Sequence, residues 1–144
     1  MKTFAFGGEK QERLAVVVFG YERSALSGDS FDDNWLRVEV RIAAGAFTGK
    51  FQATFLTSDL AEFHSQGEAL LESLSGSAGF ETMEGQLAFK IEGNGRGNMT
   101  LQGKAQDQAG VGNSLEFELM FDQTQLNESI AQLRLVLDEY PIRA

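Results

Sequence analysis

The chain has 144 residues, of which 42% are hydrophobic and 23% are charged, and it contains no cysteine. This composition is too apolar for a disordered chain, and the length fits one domain over residues 1–144. Because cysteine is absent, disulfides and thiolate sites are excluded; because the formal net charge is −9, nucleic acid and anionic membranes are disfavoured as partners.

The N-terminal region does not have the features of a targeting or membrane segment. The longest apolar run, Leu14–Phe19, is far shorter than the roughly 20 residues that span a bilayer. The chain begins like a signal peptide, but Glu9, Lys10, Glu12 and Arg13 interrupt the apolar region that a signal peptide requires. We therefore expect a cytoplasmic protein without a membrane partner. Its acidity favours a basic protein partner, or else serves solubility alone.

The first third of the sequence predicts three strands. Residues 3–6 and 13–20 read as strands joined by a hairpin turn at Gly7–Lys10, and the polar segment Tyr21–Asn34 reads as a long loop. Trp35–Ile42 then alternates strictly between apolar and polar residues, as a half-buried strand does.

The clearest pattern in the sequence occurs twice, with a shift of 66 residues. Phe51–Phe55 alternates as a strand, and apolar residues then recur with helical spacing from Leu60 to Leu74. Phe117–Phe121 and the helical stripe from Leu126 to Tyr140 repeat both features. Each copy follows another alternating strand and a glycine-containing turn, which predicts two strand–turn–strand–helix units after an N-terminal extension.

The helix ends are also predicted. Thr57 or Ser58 is expected to cap the first helix, and the glycine- and serine-rich segment 75–79 to end it. Asp122 and Gln125 have the spacing of a capping box for the second helix.

These elements predict an α+β fold with a mostly antiparallel sheet of about seven to eight strands and two amphipathic helices packed on one face. The other face of the sheet is expected to be open and polar. Its predicted members are Arg37, Arg41, Gln52, Thr54, Lys90, Thr100, Lys104, Glu116 and Glu118.

The usual catalytic and cofactor-binding patterns are absent from the sequence. His64 is the only histidine, so neither a nucleophilic triad nor a histidine–cysteine metal site has its usual members, and a packed structural role is expected. The glycine-rich segment Gly93–Gly97 precedes a strand, whereas a phosphate-binding loop opens a helix, so a hairpin turn is expected. We predict no enzymatic activity, no cofactor and no metal.

Three carboxylates lie close together in the long loop, at Asp29, Asp32 and Asp33. They suit a Ca²⁺ site only weakly, because their spacing matches no EF-hand loop, and a glycosidase pair would require a second acid across a cleft. A solvated acidic patch with an Asx turn leading into Trp35 is the simpler interpretation. Trp35, the only tryptophan, serves either as a binding hot spot or as cover for a neighbouring loop.

Several turn and cap motifs occur together over residues 20–141. Asp33–Leu36 enters a strand, and Ala44–Gly49 precedes the next strand. The further motifs are Glu81–Glu84, Gly95–Gly97, Gly110–Asn113, Asp122–Leu126 and Tyr140–Pro141. With this combination the chain resembles the WapI-type immunity proteins of bacterial contact-dependent toxin systems. The resemblance implies a cytoplasmic protein that binds and blocks a cognate toxin, often an RNase.

Three hypotheses about function follow. The first is an immunity protein that neutralises a basic, nuclease-type toxin through charge complementarity and one aromatic anchor. The second is a small-ligand or metal-binding α+β module, and the third is a homo-oligomeric structural protein, such as a homodimer, that pairs through a sheet edge. The candidate contacts for the first hypothesis are Asp29, Asp32, Asp33, Trp35, Glu116 and Glu118.

Overall fold

The architecture consists of two consecutive units, each made of four strands and one helix. A computed structural model describes residues 1–8 and 12–143, so part of the predicted turn Gly7–Lys10 lies outside the described residues. The first unit contains β1 (Lys2–Gly7), β2 (Arg13–Tyr21), β3 (Trp35–Ala44), β4 (Phe47–Leu56) and α1 (Thr57–Ser73). The second contains β5 (Ser75–Glu81), β6 (Leu87–Asn94), β7 (Asn98–Gln108), β8 (Val111–Asp122) and α2 (Gln123–Glu139).

The predicted α+β class, the antiparallel pairing and the two packed helices are confirmed. The two helices have 17 residues each and begin 66 residues apart, at 57 and 123, as the repeat predicts. The strands form two four-stranded meanders, β1-β2-β3-β4 (sheet A) and β5-β6-β7-β8 (sheet B). The polar residues that the sequence assigns to one open face are therefore divided between two sheets.

Each repeated unit is longer than the sequence indicates. β1 and β2 belong to the first unit and are not an extension, and the segment predicted only to end α1 forms β5. This strand has a weak sequence signal because only Ala78 and Phe80 of its seven residues are buried. Its place is fixed by pairing, since Ala78 lies opposite Ile91 and Phe80 opposite Phe89.

The core lies between the two sheets and the helices, and phenylalanines fill its centre. The Phe6 ring of sheet A lies 5.3 Å from Phe89 and 6.1 Å from Phe121 of sheet B, between ring centroids. Phe63 of α1 lies 5.9 Å from Phe6 and 5.1 Å from Phe89. Fully burying such a side chain contributes roughly 1.5–3 kcal/mol, so this cluster is a main source of stability.

Each helix covers the edge strand of the other unit. α1 packs beside β5 and α2 packs beside β1. The side-chain oxygen of Gln66 accepts a hydrogen bond from the Gly79 amide at 2.8 Å, and that of Gln132 accepts one from the Ala5 amide at 2.9 Å. The Ser129 hydroxyl donates to the Ala5 carbonyl. Unpaired backbone amides and carbonyls at a sheet edge can pair with other chains. The packing of each helix on the other unit's edge strand therefore protects one edge of each sheet and holds the two units together.

The ends of the helices are built differently. The capping box of α2 is confirmed, with the Asp122 carboxylate accepting from the Gln125 amide at 2.9 Å. The predicted side-chain cap of α1 is wrong, because Leu56 occupies the capping position and Thr57 is the first helical residue. The buried Thr57 hydroxyl donates instead to the Asn34 carbonyl at 3.0 Å. This bond connects the start of α1 to the loop before β3.

Candidate protein-binding surfaces

The carboxylate of Asp33 is used inside the loop between β2 and β3. Its oxygens accept hydrogen bonds from the Ser27 amide at 2.8 Å, the Ser27 hydroxyl at 2.7 Å and the Gly28 amide at 3.0 Å. The bonds from Ser27, first its amide and then its hydroxyl, hold the pKa of Asp33 below its ordinary value, while burial opposes them. Because Asp33 is only 2% exposed, it holds the loop and presents no contact surface.

The other two loop carboxylates face solvent but also have local partners. Asp29 accepts from the Phe31 amide at 2.9 Å and the Asp32 amide at 3.2 Å, which forms the Asx turn that the sequence suggests. Asp32 lies 3.5 Å from the Arg23 guanidinium, with both side chains about half exposed. Asp29 and Asp32 therefore remain available at the surface, with part of their charge already compensated.

The C-terminal tail fastens this loop to the body of the protein. The Asn34 side chain and the backbone of Arg143 exchange hydrogen bonds of 3.0 Å and 2.7 Å. The Arg143 guanidinium stacks over the Tyr21 ring, 3.6 Å from its centroid, and donates to the Asp33 carbonyl. Burial raises the pKa of Tyr21 above its ordinary value, against the lowering effect of Arg143.

Glu116 and Glu118 lie on the outer side of sheet B. Both are exposed, and they alternate along β8 with buried Phe117 and Leu119. Glu116 lies opposite Lys104, and Glu118 accepts a hydrogen bond from Gln102 at 3.3 Å. We name this surface the acidic face; its members are Glu81, Lys90, Glu92, Thr100, Gln102, Lys104, Glu116, Glu118 and Met120.

Two grooves extend the acidic face, and the sequence interpretation did not include them. One, of about 540 Å³, runs between α1 and sheet B, with Asp59 and Glu62 on the helix side and Glu81 and Lys90 on the sheet side. Burial, and next the nearby charge of Glu62, raises the pKa of Asp59 above its ordinary value. The other, of about 680 Å³, includes Met120, which is 75% exposed. Helical spacing shows Asp59 and Glu62 to be neighbours, but only the packing of α1 on β5 places them beside the sheet.

The outer side of sheet A has the opposite charge. Residues with odd numbers in β3 alternate with buried Leu36, Val38, Val40 and Ile42, which places Trp35 and the arginines of β3 on the outer side. We name this surface the basic face; its charged members are Arg13, Arg37, Glu39, Arg41 and Lys50.

The six candidate contacts fall into two groups at opposite ends of sheet A. Asp29, Asp32 and Trp35 lie at the start of β3, whereas Glu118 lines a groove with Ala43 and Gly45 at its end. At about 3.4 Å per residue, eight residues of strand separate these ends by roughly 27 Å. A partner must therefore extend over at least roughly 27 Å to contact both groups.

The family profile described as the WapI-like immunity protein family matches residues 5–141, which is nearly the whole chain. The chain belongs to this family. A comparison with curated proteins finds no match. The resemblance that the turn and cap motifs suggested is thus confirmed, and it covers both units of this WapI-like protein.

A solved structure from Trypanosoma bruciei, MRP1/MRP2, has a similar fold. The similarity covers 95% of this chain and 83% of that chain, with a TM-score of 0.50 and 12% sequence identity. At this identity the likeness concerns the arrangement of strands and helices alone.

The ionisable side chains of the described residues are dispersed. Over residues 1–8 and 12–143, no three side chains of His, Asp or Glu converge in a way that could hold a metal ion. His64 is 6% exposed, and its Nδ1 lies 3.5 Å from Glu68 on the same helix. In the same part of this WapI-like chain, neither helix has both the length and the apolar character of a membrane span.

Proposed function

We propose that this member of the WapI-like immunity family binds and neutralises a cognate toxin by protein–protein interaction in the cytoplasm. The observation that carries the proposal is the family match over residues 5–141. The net charge of −9 supports a basic, nuclease-type toxin, because opposite charge speeds encounter and selects against other partners. The protein acts by occupying the toxin surface and performs no reaction itself.

The acidic face is the proposed contact surface. Glu116 and Glu118 stand on a strand, where the sheet holds them in fixed positions, and Gln102, which lies opposite Glu118, lines both grooves. Exposed Met120, which lies opposite Thr100, supplies an apolar anchor between charged neighbours. In this arrangement carboxylates take the place of the phosphates that a nuclease binds.

Asp29, Asp32 and Trp35 form the second proposed contact group. Asp33 is left out, because its buried carboxylate is satisfied within the loop. Trp35 is the aromatic anchor of this group, and aromatic side chains frequently dominate binding energy. We rank this group second to the acidic face as a contact surface, because Asp29 and Asp32 already have local partners.

The test is inhibition of the toxin domain encoded beside this protein. Calorimetry and a nuclease assay are expected to give affinity in the nanomolar range that weakens with salt. Glu118→Gln combined with Met120→Ala is expected to weaken binding at least tenfold, and Trp35→Ala less. Glu128→Gln, at an exposed position on α2, is the matched control. No affinity tighter than micromolar at moderate salt would refute the proposal.

A further inference from the structure

The basic face brings like charges together on a protein whose net charge is strongly negative. Arg41 of β3 lies directly opposite Lys50 of β4 in the ladder. Arg13 of β2 lies opposite Ala43, which makes it the diagonal neighbour of Arg41 on the same side of the sheet. Like charges in such positions repel, so this cluster is not an arrangement that stabilises the free protein.

Two cations of this cluster have no ion-pair partner among the described residues. In the part of the chain that the structure describes, Arg13 and Lys50 have no carboxylate within 4.0 Å, whereas Lys90 on the acidic face lies 3.0 Å from Glu92. Arg41 does pair with Glu39, between Nε and Oε2 at 2.6 Å. The Glu39 side chain is only 11% exposed, so this bond holds the Arg41 guanidinium in place while 57% of its own side chain remains exposed.

A groove of about 460 Å³ lies within the same cluster. Arg13 and Arg41 line it together with Thr3, and its apolar lining comes from Ala15, Val17, Ile42 and Ala43. The Nε of Arg13 is buried and has no hydrogen-bond partner among the described residues. A buried charged donor without an acceptor is unfavourable, so an acceptor that Arg13 meets by reorienting its side chain is favoured.

We propose that this groove of the basic face docks an acidic segment of a protein partner. Carboxylates of the segment pair with Arg13 and Arg41, which line the groove, and with Lys50, which lies opposite Arg41, and an apolar side chain of the segment packs on the partly exposed Ala43. A nucleic acid fits less well, because its affinity comes largely from neutralising many phosphates, and this cluster offers the three cations Arg13, Arg41 and Lys50. The remaining surface, with its negative net charge, also repels a long polyanion.

This surface is distinct from the acidic face proposed to contact the toxin. The two lie on the outer sides of different sheets and approach each other at Ala43, which lines the basic groove and also a groove with Glu118 and Met120. The two proposals call for probes of opposite charge, so they are tested separately. A partner that carries the acidic segment therefore binds whether or not the acidic face has the role proposed above.

The experiment uses the full chain and three probes in a titration followed by amide chemical shifts. The first probe is a short synthetic peptide of Glu and Asp residues interspersed with Leu and Phe. The second has Gln and Asn in place of the acids, and the third is a single-stranded oligonucleotide of equal charge. The acidic peptide is expected to shift the amides of Ala15, Val17 and Ala43, with an affinity that falls as salt is raised.

Lys50→Gln gives a result that a merely structural role would not. Removing the Lys50 charge relieves its repulsion with Arg41, so the urea midpoint of the free protein is expected to stay the same or to rise. The affinity for the acidic peptide is expected to fall roughly twofold to fivefold, as for a single exposed ion pair. Lys104→Gln on the acidic face is the matched control and leaves the affinity unchanged.

Three outcomes would overturn the proposal. One is equal binding of the uncharged peptide, and another is tighter binding of the oligonucleotide at the same amides. The third is unchanged peptide affinity in a Lys50→Gln protein whose urea midpoint shows that it is folded.

Discussion

The contact between α1 and α2 gives the sharpest test of the packing described above. The helices touch where Gly67 of α1 meets Ile130 of α2, which is 4% exposed. A Cβ added at position 67 would overlap the Ile130 Cδ1 and lie 3.3 Å from its Cγ1. Gly67 therefore leaves room for the Ile130 side chain, although glycine disfavours a helix interior by about 1 kcal/mol relative to alanine.

Two opposing effects set the result of Gly67→Ala. The substitution gains about 1 kcal/mol of helix propensity, whereas overpacking a filled core typically lowers stability by about 1–3 kcal/mol. We expect a net loss of about 1 kcal/mol in the free energy of unfolding. Ile130→Val removes the overlapping methyl group and by itself lowers stability by about 0.5–1.5 kcal/mol. In that background, Gly67→Ala is expected to stabilise the protein by up to ~1 kcal/mol.

The assay is a double-mutant cycle from urea unfolding, with equal slopes required for all four proteins. The sign of the Gly67→Ala effect is expected to reverse between the two backgrounds, with a coupling energy of about 1–3 kcal/mol. If the two changes add within about 0.5 kcal/mol, the helices do not meet at this pair and the packing account fails.

Two further predictions concern the loop and the sheet edge. Asp33→Asn is expected to lower stability near neutral pH. Because the folded pKa of Asp33 is depressed, this contribution is complete above the unfolded pKa of about 3.9 and is lost as the pH falls through the folded pKa. Urea midpoints of the two proteins should therefore converge in acid, and a constant difference would contradict the role of Asp33. Gln132→Ala leaves the Ala5 amide without its acceptor and is expected to lower stability by about 1–3 kcal/mol and speed hydrogen exchange at Ala5. Gln66→Ala, the equivalent change at the exposed Gly79 amide, should have a smaller effect, and equal effects would count against the edge-protection argument.

Elements with a strong period could be predicted from the sequence. The stripes of α1 and α2 and the alternation of β3 and β8 gave the correct element type, because burial on one side imposes a repeat on the residues themselves. β5 could not be predicted, because its Gly- and Ser-rich sequence does not alternate between apolar and polar residues. The segment becomes a strand because it pairs with β6. The reason for Gly67 could not be predicted either, because its neighbour Ile130 is distant in sequence.

The candidate contacts show the same limit. Asp33 reads as an exposed carboxylate in a polar loop, and only the folded loop shows that its oxygens are occupied by Ser27 and Gly28. Glu116 and Glu118 were correctly predicted to be exposed, because strand alternation alone decides which side they take. The distance of Glu116 and Glu118 from Asp29 depends on the strand order, which the sequence does not give.

The sequence by itself determined the formal net charge of −9, the exclusion of disulfides, the fold class and the family. The tertiary structure alone decided that the strands form two sheets and that each helix covers the other unit's edge. It also separated the charge, which is spread along the chain, into an acidic and a basic face. The physical reason is that composition and period are local properties, whereas a face is assembled by the register of strands that lie far apart in the sequence.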